Sequence, residues 1–277
     1  MITTLATMAP TVSGNIMNEK TLIIEKEGGV DYLTLNRPQE LNTLNDSLMF
    51  ELREYFGNLY FDRSVRVVVL RGAGKAFCAG LDLRSVKADE NPDISLTTQR
   101  EVSEIIILMR RCPQAIISVI HGAACGGGFA LALASDIRIA SENAKMNAAF
   151  IKIGLSGCDV GVSYLLPRLV GTSLASELIL TGRFIYADRA LQTGLVSSVV
   201  PGDRLSEEVK SLVDDMLATS ALGLRLTKEC LNMNVDATSL EAAIAMEDRN
   251  QVLCTQTGEF KSLVSSFLSK EGEEITI

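Results

Sequence analysis

Tryptophan is absent from this 277-residue chain and histidine occurs only once, at position 121. The missing tryptophan excludes nothing. The near-absence of histidine matters more, because the six cysteines (Cys78, Cys112, Cys125, Cys158, Cys230 and Cys254) form no C-x-x-C pair. Neither residue type supplies the clustered ligands of a zinc site, so no metal is expected. Scattered cysteines among small and apolar neighbours read as reduced, buried thiols. No segment approaches the roughly 20 uninterrupted apolar residues of a membrane span. Residues 1–20 lack arginine and an apolar core, so neither a transit peptide nor a signal peptide is expected, and the final Ile-Thr-Ile is no peroxisomal address. The expected location is cytoplasmic. Positive charge is also in deficit: 26 Lys and Arg against 34 Asp and Glu give a net charge of −8. Such a chain is poorly suited to hold nucleic acid by counterion release. It can still hold a small anionic ligand with a local cluster of cations and backbone N–H groups.

Apolar residues make up 47% of the chain, ordinary for a globular protein. Residues 1–20 read as a flexible tail. Two strands are predicted at 21–26 and 30–35 around Gly28-Gly29, a hairpin signal. Leu48, Leu52, Phe56 and Leu59, spaced by three and four, predict a helix over 45–60. The β-branched run at 65–70 suits a strand buried on both faces. Further strands are predicted at 115–120, 136–140, 145–149 and 195–200, and helices at 98–111, 127–135, 160–170, 173–181 and 187–193. Strand and helix alternate, which predicts an α/β core over 21–204. From 205 to 277 the pattern turns helical and predicts a separate C-terminal module.

Two glycine-bearing loops stand out, one running from Arg71 to Leu83 and the other from His121 to Gly128. Each follows an apolar strand, and the second opens a helix. Glycines let backbone approach a ligand, and helix N-terminal N–H groups suit an anion or a developing oxyanion. Two loops on adjacent strands could aim two N–H groups at one oxygen, as an enolising thioester requires. The plainer reading is tight turns and close helix packing. A nucleotide-phosphate loop fits poorly, since G-x-x-x-x-G-K-[ST] and G-x-G-x-x-G are both missing.

From Leu22 to Lys270 the sequence resembles the enoyl-CoA hydratase/isomerase (crotonase) family. The resemblance lies in Asn36-Arg37-Pro38 with Leu41-Asn42, in Phe77 to Leu83, and in Gly126-Gly127-Gly128 followed by Asp136-Ile137-Arg138-Ile139-Ala140. It continues through Glu177 to Arg183 and Gly194-Leu195-Val196. It implies a superhelix of repeated β-β-α turns with a C-terminal helical trimerisation module, assembling as a homotrimer or a dimer of trimers. It implies an acyl-CoA thioester substrate, with CoA part of the substrate and no separate cofactor. It places an oxyanion hole at the backbone N–H groups of Leu81 and Gly127. Ala79, Gly80, Asp82, Leu83, Gly126, Ala130 and Phe150 would line the substrate. Leu41, in the loop after Pro38, would lie toward the adenine, and Arg84 near the CoA phosphates. Arg37, Lys20 and Lys75 are weaker choices for that contact, and Phe260 would reach the CoA or a subunit boundary.

The hydratase members of that family carry two glutamates where this chain has Ala130 and Phe150. Neither residue can transfer a proton. The next acid downstream is Asp159, at a position where isomerases and a dehalogenase of the family carry an acting carboxylate. One carboxylate suffices for a 1,3-proton shift. Asp159 also precedes the helix predicted at 160–170, so an N-cap is its rival role. Asp82 is expected to hold its loop, and His121 to hydrogen-bond backbone. Double-bond isomerisation is therefore the expected reaction. Hydration, other thioester chemistry and a non-catalytic acyl-CoA binder stay open.

Overall fold

The computed structural model describes residues 20–85 and 91–271. The expected tail thus falls, but for Lys20, outside the described residues, as do residues 272–277 of the C-terminal module. The described residues open with a hairpin, β1 (Leu22–Glu27) and β2 (Val30–Leu35), then α1 (Asp46–Leu59), β3 (Val67–Gly72) and α2 (Pro92–Arg111). There follow β4 (Ala115–Ile120), β5 (Ala123–Cys125), α3 (Gly127–Ala134), β6 (Ile137–Ser141) and β7 (Lys145–Asn147). Next come α4 (Val162–Val170), α5 (Thr172–Thr181), β8 (Ile185–Tyr186), α6 (Ala187–Gln192) and β9 (Ser198–Val200). Four helices end the described residues: α7 (Leu205–Leu217), α8 (Ala221–Asn234), α9 (Leu240–Thr255) and α10 (Gly258–Glu271).

Positive φ at both Gly28 and Gly29 closes the opening hairpin, a backbone twist that glycine adopts without a Cβ clash. The six-stranded sheet has the order β1-β2-β3-β4-β6-β9, and every pairing except β1 with β2 is parallel. A three-stranded sheet, β5-β7-β8, lies beside it in sequence. The repeat is then visible. In β4-β5-α3 and in β6-β7-α4, the first strand joins the large sheet and the second joins the small one. The turn from β3 to α2 is a reduced version of the same unit, with an isolated parallel bridge of Cys78 to Ala124 in place of its second strand. This is the α/β superhelix of β-β-α turns.

The inner strands β3, β4 and β6 are buried on both faces, which is why they read as apolar runs rather than alternations, whereas the edge strand β1 is mostly exposed. In β3, Val68 and Leu70 enter the main core with Leu48, Leu52 and Phe56 of α1, and Val67 and Val69 face the opposite side. There α7 covers the sheet with Leu205, Val209 and Val213. So α7, which lies beyond the expected boundary at 205, packs as part of the sheet layer. Arg66 closes its C-terminus by donating to the carbonyls of Met216, Leu217 and Thr219 at 2.8–3.1 Å. The helices after α7 expose many large apolar residues, among them Leu231, Leu240, Val252 and Phe267.

Three departures from the sequence reading have physical causes. β5 and β8 are two or three residues long, too short to carry a period. α2 starts at Pro92 rather than 98, because residues 91–100 are all exposed and show no apolar spacing. Its cap, Asn91 followed by Pro92 at the first helical position, was a readable start. The last strand begins at Ser198, since Leu195 and Val196 turn into the main core instead.

One buried cation joins α8 to the core. Lys228 Nζ lies 2.9 Å from the Asp136 carboxylate and donates to Gln114 O at 2.7 Å. Arg110 shares Asp136 and also bonds Asn232 of α8. Replacing Lys228 by Met should cost about 3 kcal/mol, because partners are left buried without their cation. Calorimetry should show the Tm falling by roughly 5 °C or more, and limited proteolysis should cut faster between α7 and α8. An unchanged Tm would show that the lysine does not anchor the module.

Candidate active site

The two glycine loops meet through the chain between Phe77 and Asp82. On one side Cys78 N–H donates to Ala123 O (3.0 Å) and Cys125 N–H to Cys78 O (2.9 Å). On the other side Ala79 N–H donates to Leu41 O (3.0 Å), Leu44 N–H to Gly80 O (2.7 Å) and Asp82 N–H to Leu44 O (2.9 Å). This short segment therefore acts as a strand between two neighbours. Gly80 sits in it with φ +100°, and a Cβ there would lie 2.8 Å from Cys125 O and 3.7 Å from Gly127 N. The loops are that close.

Successive N–H groups of extended chain point to opposite sides. With Asp82 N–H turned to Leu44, Leu81 N–H is turned away from it, and it reaches no acceptor among the described residues. Gly127, the first residue of α3, likewise donates to none among them, as expected at a helix N-terminus. The three consecutive glycines have different tasks. Gly126 makes the turn into α3 with φ +50°, 3.0 Å from N to Asn147 O. Gly128 packs, since a Cβ there would lie 2.2 Å from Cys78 O. Gly127 would meet only Leu44 Cδ1, at 2.8 Å. The packing reading is thus right for Gly128 and leaves Gly127 unexplained.

A buried asparagine stitches the loops. Asn42, fully enclosed, donates to Ala73 O and Ala76 O at 2.8 Å and accepts from Arg37 N–H at 2.9 Å. It and Leu41 both hold positive φ, 57° and 52°, which costs energy for side-chain-bearing residues. Leu41 itself is exposed. His121 Nε2 adds a 3.1 Å bond to Gly74 O, and burial pushes its pKa down, so it is a neutral tie between loops. Burial likewise pushes the Cys125 thiol up to about 11, which keeps it protonated at neutral pH and unfit as a nucleophile.

Arg37 and Arg84 both engage Asp82, at 2.9 and 3.0 Å. Bonds from Arg84, then Arg37, hold the Asp82 carboxyl well below the usual carboxylate range. It is a permanent anion fastening its loop. Arg37 is largely enclosed and also bonds Thr43, whereas Arg84 is 72% exposed and reachable from solvent. Leu83 is exposed beside it.

Ala130 is fully buried, and the buried Phe150 ring lies 3.5 Å from where a Cβ on Gly126 would be. Apolar surface thus stands next to the glycine loop. Asp159 lies beyond, in the turn before α4, half-buried. Its Oδ1 accepts from Gln99 Nε2 of α2 (2.7 Å) and from Val160 N (2.8 Å). Burial outweighs these bonds and pushes its carboxyl pKa up. The N-cap expectation is corrected: α4 begins at Val162, its cap is Gly161, and no side chain caps it. Phe260 lies on α10, partly exposed. Sequence reasoning missed Gln99, which only the fold brings to Asp159 across 60 positions. It also missed how much Asn42 carries, although the residue stands in a recognisable motif.

A family profile described as enoyl-CoA hydratase/isomerase matches residues 25–274. A probable enoyl-CoA hydratase of Mycobacterium tuberculosis is 40% identical over 241 residues, covering 84% of this chain and 85% of its own. A 1,2-epoxyphenylacetyl-CoA isomerase of Escherichia coli is 33% identical over 253 residues, covering 90% and 96%. Among solved structures, a probable enoyl-CoA hydratase/isomerase from Mycobacterium abscessus superimposes with a TM-score of 0.82 at 36% identity, covering 91% of this chain and 96% of the other.

The packing of Gly128 against Cys78 gives a direct check on the loop junction. Gly128→Ala forces a methyl onto a backbone carbonyl that cannot rotate away, so it should destabilise by about 3 kcal/mol. Gly258→Ala, with nothing near its Cβ position, should change stability by less than about 1 kcal/mol. Denaturant unfolding of both variants measures the contrast, and equal effects would mean the loops are not tightly apposed.

Proposed function

Because the chain belongs to the enoyl-CoA hydratase/isomerase family, we propose that it moves a carbon–carbon double bond within an acyl-CoA thioester. The observation carrying this reading is the pair of unpaired N–H groups, Leu81 and Gly127, on two loops held within a few ångströms of each other. A thioester oxygen accepting from both gains negative charge as the substrate enolises, and donors fixed in advance stabilise it without reorganising. The α3 N-terminus adds its dipole.

Asp159 is the proton carrier in this reading. Its carboxylate takes a proton from one end of the three-carbon unit, and the released electron pair delocalises onto the thioester oxygen as a dienolate. The resulting carboxylic acid returns the same proton to the other end. The double bond has moved and the enzyme is unchanged, so no further reactant is needed. Hydration would need a second acid–base group to activate water. Ala130 and Phe150, buried and apolar, offer neither, and Phe150 beside the glycine loop keeps water from the reacting carbons. Ala79, Gly80 and Gly126 form the backbone around the thioester. Exposed Arg84 suits the CoA phosphates and exposed Leu41 the adenine, with Leu83 beside them. The exposed apolar surface on α8–α10, including Phe260, supports a homo-oligomer, a trimer or a dimer of trimers, since monomers rarely leave such area open.

The test uses 3-enoyl- and 2-enoyl-CoA thioesters with the purified protein. Isomerisation should appear as a change in conjugated-enoyl absorbance. Asp159→Asn should lower kcat about 10²- to 10⁴-fold, the range for one general acid–base group, while calorimetry shows thioester binding retained. Since burial raises the Asp159 pKa and the base must be ionised, kcat/KM should fall on the acid side at a higher pH than an ordinary aspartate would give. An unchanged kcat in Asp159→Asn removes that residue from the mechanism, and rapid hydration of a 2-enoyl-CoA reverses the preference for isomerisation. Light scattering of the free protein checks the assembly, a monomer being the adverse result.

A further inference from the structure

We propose that Gln99 is a positioning residue for Asp159, clamping Oδ1 so that Oδ2 alone is presented to the substrate; this rests on Asp159 being the proton carrier. The geometry is one-sided. Both donors that reach the carboxylate, Gln99 Nε2 and Val160 N, fall on Oδ1, at 2.7 and 2.8 Å. Oδ2 accepts no hydrogen bond and meets no cation among the described residues. A carboxylate free to spin would offer either oxygen in many directions. One held by two donors on the same oxygen has a fixed plane, with the lone pairs of the other oxygen unoccupied. Such orientation is worth much in proton transfer, where small misplacements lower the rate.

Two further features fit this task better than a packing one. Val160 has φ +37°, a conformation that a β-branched residue adopts only under constraint, at a cost of about 1–3 kcal/mol. That turn brings the Val160 amide onto the preceding carboxylate. Gln99 stands on the first half of α2, where residues 91–100 are all exposed, so no core depends on it. A neutral amide is also the right donor. It orients the anion without the strong pKa depression an arginine would cause, and burial can keep the carboxyl basic. Nothing charged intervenes from α2 or from the turn before α4: burial, Val160 N–H and Gln99 are all the influences on the Asp159 titration.

The test compares Gln99→Met, which keeps length but cannot donate, with Gln99→Glu, which adds a second carboxylate, and with Asp159→Asn. Gln99→Met should lower kcat about tenfold, the worth of one hydrogen bond to a charged group, with KM changed less than about twofold. Losing the donor should move the acid limb of the pH profile to higher pH, and Gln99→Glu should move it further because like charges repel. An NMR titration of the Asp159 carboxyl should show the same order without any substrate. If Asp159→Asn is inactive while both Gln99 variants keep the wild-type kcat, acid limb and carboxyl titration, the clamp is wrong and the isomerase reading stands. If Asp159→Asn keeps its kcat, that reading fails instead. Coincident thermal unfolding of the variants, expected for an exposed site, separates either outcome from misfolding.

Discussion

The strand-like segment from Phe77 to Asp82 is the constraint on which the site depends. It bonds Leu41 and Leu44 on one edge and β5 on the other, so two loops from different β-β-α turns are set by one piece of backbone. Phe77 and Cys78 are buried without exposure, which anchors the segment at its start. Asn42 fixes the first glycine loop by pairing three backbone groups, of which the Ala76 carbonyl is buried, where an unpaired group costs about 1–3 kcal/mol. Asp82 ends the segment between two guanidiniums. Thus a hydrophobic anchor, an amide and an ion pair act on the same few residues. The flipped backbone at Gly80 lets this ladder use one N–H and leave the adjacent one unpaired.

Much of this was readable beforehand. The hairpin, α1 and the buried strands of the large sheet follow from short-range patterns, and they stand where the spacing of Leu48, Leu52 and Phe56 or the run at Val67–Leu70 puts them. The glycine loops were readable as unusual and as a possible pair of N–H donors, but the contacts that hold them together were not, because no period connects Gly80 to Gly127. Only parallel pairing across the sheet, fixed by many residues together, sets them side by side. The hydrogen bond between Gln99 and Asp159 was invisible for the same reason. The expected N-cap at Asp159 failed on a local detail: positive φ at Val160 and Gly161 delays the helix by a few residues, and a β-branched residue in that conformation is not something its sequence announces.

Charge is used sparingly and locally. The chain is acidic overall, yet Arg110, Arg138 and Lys228 gather around Asp136 where α2, β6 and α8 meet. Arg138 is buried enough that its pKa falls to about 10, and it donates to the carbonyls of Leu195 and Ser135. Such groups persist inside because backbone carbonyls replace their water. They hold elements together: Arg110 and Lys228 tie α8 to Asp136, and Arg138 ties β6 to the carbonyl of Leu195. At the glycine loops the thiol of Cys125 and the imidazole of His121 are neutral, and the charge is confined to Asp82 between Arg37 and Arg84.

Lys228 also bears on the order of assembly along the chain. Its partners, Met109, Gln114 and Asp136, lie near the end of α2 and just before β4 and β6, all earlier in the chain. The ammonium can leave water only once those carbonyls and that carboxylate are already gathered. Docking of α8 through this lysine therefore depends on β4 and β6 standing in register. A shift of β4 against β6 would separate Gln114 from Asp136 and leave the lysine without its combined seat.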